Sequence, residues 1–226
     1  STQVTYGLLN LTHRDSHEHP SMLEPGQRYR VRVKLNDIAH SFSAGHRIRV
    51  CVSTNFWPLV WPSPVPVTLD VITGESQLVL PIRTPSDDDS VLRAYEAPEC
   101  AAPAEHSTLS PYRRGRCVST NVDTGETVVE VSKDRGRVYL NEVDIEYAGS
   151  GEERITIRDG DPLSCLGETD YCVSIKRGDW EVRTESRTQL SSSEDEFLFS
   201  ASMDAYEGTK RVFTKTWSTR IGRKFL

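Results

Sequence analysis

No stretch of roughly 18 apolar residues occurs in this 226-residue chain, and no charged-then-apolar leader opens it. A membrane-spanning helix and a visible signal peptide are thereby excluded. The chain starts at Ser1 rather than Met, so any N-terminal address is expected upstream of this piece, and the cytoplasm is the expected location by default. Basic charge is also scarce: 27 Lys and Arg against 33 Asp and Glu give a net charge of -6. Nucleic-acid modules usually show a basic stripe or patch, so the charge argues against a polyanion-binding role. Cysteine is sparse and odd in number, with Cys51, Cys100, Cys117, Cys165 and Cys172 showing no CxxC spacing. Neither a zinc site nor a complete disulfide framework is indicated, and reduced thiols are expected. Helix-length periodicity and a repeat of constant period are both missing, which argues against a bundle, a propeller and a solenoid.

Alternation of apolar and polar residues is what the chain does have. Expected strands in the first part are residues 5–11, 28–35, 47–53, 67–72 and 76–81, separated by Pro and Gly punctuation. Arg28, Arg30, Arg32 and Lys34 alternate with Tyr29, Val31, Val33 and Leu35, the pattern of a half-buried strand with a solvated charged face. Residues 36–42 read as a loop or a single helical turn. Residues 84–111, with Pro85, Asp87, Asp88, Asp89, Pro98 and Pro103, lack sustained periodicity and read as a long excursion. The expected organisation is therefore a first β portion over 1–84, a linker over 85–116 and a second β portion over 117–226, part of the same sandwich or packed on it. In the second portion Val129 and Val131, Val143, Ile145 and Tyr147, Ile155 and Ile157, Tyr171, Val173 and Ile175, Trp180 and Val182, and Phe197 to Met203 place apolar side chains on one strand face. Strands recurring between turn signals imply antiparallel pairing in an all-β sandwich.

The run Gly7-Leu8-Leu9-Asn10-Leu11-Thr12-His13-Arg14, then Leu23-Glu24-Pro25-Gly26, then Phe42-Ser43-Ala44-Gly45-His46-Arg47-Ile48-Arg49-Val50 and the pairs Trp57-Pro58 and Trp61-Pro62 carry a further signal. Together, in this order, they resemble the C-terminal region of the CocE/NonD and X-Pro dipeptidyl-peptidase hydrolases. Later segments, Asp161-Pro162-Leu163-Ser164, Arg177-Gly178-Asp179-Trp180, Ala205-Tyr206-Glu207-Gly208 and Trp217 through Arg223, resemble the tails of acyl-esterase-like members. The resemblance implies a jelly-roll-like, galactose-binding-domain-like antiparallel β-sandwich that packs on an α/β-hydrolase domain bearing the Ser-His-Asp triad. It implies dipeptidyl-peptidase or esterase activity for the parent protein, and no catalytic residue or cofactor in this chain. Family jelly rolls begin before the Gly7 motif, so the sandwich is expected to be incomplete at its N-terminus, with exposed sheet edges open to self-association or to a second chain.

The residues support this division of labour. A nucleophile elbow needs G-x-S-x-G between strand and helix, and none is present; Gly149-Ser150-Gly151 has the wrong spacing and reads as a turn. Ser53, His46 and Asp37 offer a triple that any β-protein rich in these residues would offer. Cys51, within Val50-Cys51-Val52, reads as inert packing. His13, Asp15, His17 and His19 are spaced so that two imidazoles could share a metal, but a solvated loop before Pro20 is the expected outcome, with no metal. Phe56, Trp57, Trp61, His46 and Arg47 are the expected interdomain or cleft contacts, with residues 56–64 the first place to look for substrate selection. The competing reading makes Trp57, Trp61 and Tyr112 a stacking platform of an independent carbohydrate- or protein-binding sandwich.

Overall fold

A computed structural model describes residues 1–84 and 86–225. Strand accounts for 44% and helix for 3%, and the eight strands pair antiparallel in one open sheet, as one layer of a β-sandwich would. The all-β antiparallel class read from the alternation is therefore present. The strands are β1 (His106–Ser110), β2 (Arg113–Asn121), β3 (Glu126–Leu140), β4 (Ile145–Arg158), β5 (Asp161–Arg177), β6 (Trp180–Ser192), β7 (Glu196–Glu207) and β8 (Lys210–Gly222). From β3 to β8 the sheet is a meander. Three of its hairpins close through two-residue Gly-containing connections, Asp159-Gly160, Gly178-Asp179 and Gly208-Thr209, which suit the twist of the flanking strands.

β3 is long enough to pair with two strands in succession. Its first part takes β2, from Asn121 opposite Glu126 to Arg113 opposite Asp134; its second part takes β1, from Ser110 opposite Arg137 to His106 opposite Leu140. The exchange occurs at a bulge where Gly136 has φ +72° and its N–H donates to Asp134 Oδ1 at 2.9 Å. A Cβ there would overlap the Ser110 carbonyl oxygen, so glycine is required for two reasons at once.

Register assigns each side chain to a face, because residues directly opposite share one. One row runs Val129, Ile155, Gly167, Leu190, Phe199 and Thr219; the neighbouring row on the other face runs Glu130, Arg154, Glu168, Gln189, Ser200 and Ser218. The sheet thus has an apolar and a polar side. On the polar side Arg154 meets Glu130 and Arg187 meets Asp170, each at 3.0 Å, exposed pairs of small energetic weight. Val129 and Cys165 are the most buried apolar residues of the apolar side.

Gly149-Ser150-Gly151 proves to be mid-strand in β4 rather than a turn. Ser150 lies opposite Asp134 and Cys172, and a Cβ on Gly151 would stand 2.5 Å from the Tyr171 ring. Glycine there makes room for a cross-strand aromatic, a role that sequence spacing cannot distinguish from a turn. The linker expectation over 85–116 also changes in detail: β1 and the start of β2 lie within it. Their sequences are polar and almost wholly exposed, so no apolar alternation announced them. Val143, read as a strand residue, lies in the connection between β3 and β4.

The strands expected over 5–11, 28–35, 47–53, 67–72 and 76–81 form no ladder among the described residues. One backbone bond, Asn36 N to Tyr6 O at 3.0 Å, brings the end of the second to the first, and Thr5 Oγ1 donates to the Asn36 carbonyl at 2.9 Å. The alternation itself persists as exposed apolar side chains: Val31 and Val33, then Ile48, Val50 and Val52, then Val67, Leu69 and Val71. Periodicity marks which side chains need cover but does not supply the neighbour. A compact protein of this mass exposes roughly 10,000 Å². This chain exposes 18375 Å².

Candidate functional site

Residues 53–62 build a tight projection. Ser53 Oγ donates to the Asn55 carbonyl at 2.8 Å, and Asn55 Oδ1 accepts the Trp57 N–H at 2.9 Å, fixing the entry in a polar turn. The Phe56 carbonyl accepts the N–H groups of Leu59 (3.0 Å) and Val60 (3.1 Å), and the Trp57-Pro58 bond is cis. Phe56 stacks on Tyr6 with ring centroids 5.5 Å apart. At the apex Leu59 is 75% exposed, so the turn presents an aliphatic tip to solvent.

Both flanks of this turn rest on the apolar side of the sheet. Trp61 donates its indole N–H to Ser192 Oγ at 2.9 Å, and its ring stands edge-on to Phe197 with centroids 6.1 Å apart. Trp57 lies beside the Cys165 thiol on β5. Its buried indole N–H favours the thiolate there without reaching hydrogen-bond geometry. Burial is the larger influence and pushes the Cys165 thiol up, with Trp57 and the Arg223 charge opposing.

Beneath the turn lies Arg223, 5% exposed. It donates through Nη1 to Ser192 Oγ (3.0 Å) and the Ser193 carbonyl (3.2 Å), and through Nη2 to the Pro62 carbonyl. Its guanidinium covers the Phe197 ring at 4.9 Å. Burial lowers its pKa from the usual arginine value, yet so basic a group stays protonated at neutral pH. Two residues on, the Phe225 carbonyl accepts from Asn10 Nδ2 (2.6 Å) and Thr12 Oγ1 (2.9 Å). The tail after β8 therefore touches the Asn10 turn, the 56–62 turn and the β6–β7 hairpin.

Of the residues singled out in the sequence, Phe56, Trp57 and Trp61 come together here; His46 and Arg47 are exposed, in a separate turn closed by His46 N to Ser43 O at 3.1 Å. No hydrogen bond joins Ser53, His46 and Asp37 among the described residues, and Ser53 Oγ is engaged by Asn55. In the histidine cluster His13 and His17 meet, Nδ1 to Nδ1 at 3.3 Å, while His19 stands near Glu18 at 3.9 Å. No group of three or more metal-ligating side chains is found among the described residues. All five cysteines are free; Cys51, expected in packing, is exposed, and Cys165 is the buried thiol. Ser192, Phe197, Cys165 and Arg223 as partners of the tryptophans were not foreseen, because contacts between such distant segments leave no local spacing to read. Among the described residues no helix is long and apolar enough to cross a membrane.

These features define an all-β module whose aromatic turn packs on its own sheet. Residues 1–93 match the family model of the X-Pro dipeptidyl-peptidase C-terminal non-catalytic domain, which agrees with the resemblance read from the motifs between Gly7 and Pro62. A non-catalytic C-terminal domain implies a catalytic domain in the same protein. The match ends before β1, so the likeness of the later motifs to acyl-esterase tails stands on those motifs alone. No curated protein and no solved structure matches the chain significantly.

Proposed function

We propose that this chain is the accessory C-terminal region of a serine α/β-hydrolase of the CocE/NonD or X-Pro dipeptidyl-peptidase type, stabilising the catalytic domain and walling one side of its substrate cleft with the 56–64 turn. The observation that carries the reading is the alternating row of exposed Val31, Val33, Ile48, Val50, Val52, Val67, Leu69 and Val71 within the family-matched segment. Apolar side chains in that number gain most by burial against another protein surface. The packing of Trp61 on Ser192 and Phe197 weakens the carbohydrate-binding alternative, because a stacking platform needs an open ring face.

Mixing the chain with the separately produced catalytic domain of its parent hydrolase tests the reading. A one-to-one complex on gel filtration and a higher Tm for the catalytic domain are expected. Independent elution with an unchanged Tm would reject it. We further propose that, without that partner, copies of the chain associate through the outer edge of β8, which ends the strand order and has no second neighbour among the described residues.

A further inference from the structure

We propose that residues 223–225 form a latch that holds the 56–62 turn on the sheet, and that its release frees the turn and uncovers Cys165. Four relationships place the latch there. Arg223 bonds simultaneously to the turn, at the Pro62 carbonyl, and to the β6–β7 hairpin, at Ser192 Oγ and the Ser193 carbonyl. Its own N–H donates to the Asp195 carbonyl at 2.6 Å, which fixes the tail to the same hairpin. The Phe225 carbonyl takes Asn10 and Thr12, tying down the neighbouring N-terminal turn. Ser192 Oγ receives both Arg223 and Trp61, so one hydroxyl couples the tail to the tryptophan.

The segments joined in this way differ in their own support. The hairpin belongs to a continuous ladder with β5 and β8, whereas residues 53–62 are stabilised by local turns and by what lies beneath them. Segments with few partners of their own open at lower free energy than ladder strands, so the latch is the element whose loss separates turn from sheet. Cys165 reports that separation, because it is 1% exposed and lies under Trp57. The latch also decides where the Leu59 tip is presented. This role stands whether or not the turn walls a substrate cleft.

Thiol alkylation with N-ethylmaleimide, mapped by mass spectrometry, tests the latch in the full chain alongside far-UV circular dichroism and amide exchange. In the unaltered chain Cys51 labels quickly and Cys165 stays protected. Arg223→Ala is expected to raise Cys165 labelling about tenfold or more, as loss of hydrogen bonds to a buried charge predicts, with faster exchange at residues 56–62 and an intact sheet signal. Trp61→Phe, which removes one bond of the set and keeps a ring, gives a smaller rise. Unchanged protection of Cys165 in both variants would overturn the proposal. So would loss of the whole sheet signal in Arg223→Ala, since that would make Arg223 part of the global core rather than a local latch.

Discussion

Trp61 donates its indole N–H to Ser192 Oγ across a separation of 131 residues, joining the family-matched segment to the end of β6. Ser192 also accepts from Arg223, so its hydroxyl serves two donors. In a double-mutant cycle of Trp61→Phe and Ser192→Ala, urea unfolding is expected to give a coupling of about 0.5–1.5 kcal/mol. Ser192→Ala should be the costlier single change, because it removes the acceptor of the Trp61 indole and one of the acceptors of Arg223. Strictly additive effects would show that the bond contributes nothing to stability.

The glycine at the β3 bulge offers a second check. Gly178 and Gly136 both have positive φ, but only at Gly136 would a Cβ meet backbone, the Ser110 carbonyl. Gly178→Ala is expected to cost about 1–2 kcal/mol, the usual penalty of the left-handed conformation. Gly136→Ala should exceed it by at least about 1 kcal/mol through steric overlap, and should speed exchange of the β1 amides selectively. Equal costs would contradict the bulge as described.

Alkaline pH should weaken the fold partly through Cys165. Burial raises its pKa above that of the unfolded chain, so the folded state retains a proton that the unfolded state releases. The stabilisation is complete below the unfolded thiol value of about 8.5 and is lost as pH rises through the higher folded value. Lys133 and Tyr139 also have raised values, so the decisive comparison is between the unaltered chain and Cys165→Ala. Urea midpoints between pH 8 and pH 10 are expected to fall less in the variant. Parallel curves would mean that the thiol is not the titrating group.

The outer edge of β8 predicts concentration-dependent association. Thr216 sits mid-strand, opposite Ser202, and Thr216→Lys adds charge to an edge that already carries Lys210, Arg211, Lys215 and Arg220. Sedimentation velocity is expected to show a dimer growing with concentration for the unaltered chain and a monomer for the variant. A monomer in both cases would remove β8 as an association edge.

What the sequence made legible was the all-β class and its antiparallel pairing. Alternation at Val129 and Val131, at Ile155 and Ile157 and at Phe197 and Phe199 marks β3, β4 and β7 because these pairs recur on one face of each strand, and period two records that directly. β1 and most of β2 escaped notice because polar edge strands exposed on both faces have no period to show. The family motifs mark the Trp57 to Pro62 turn as a contact with another domain, and the structure adds contacts within the chain that no local spacing announces. Its intrachain partners, Ser192, Phe197 and Arg223, lie more than a hundred residues away, and Arg223 in isolation resembles any solvated tail residue. Local sequence records which groups must be covered; the covering surface is decided by topology.

We propose that this module leaves the chemistry to a separate catalytic domain and carries no reactive serine of its own. Reaction of the purified chain with a fluorophosphonate probe, followed by intact and peptide mass spectrometry and by assay on a p-nitrophenyl ester and an X-Pro anilide, tests it most directly. The account predicts an unmodified mass and no turnover for this chain, with labelling confined to a catalytic domain when one is present. Stoichiometric labelling of any serine in this chain, Ser53 or Ser150 included, accompanied by turnover, would contradict it.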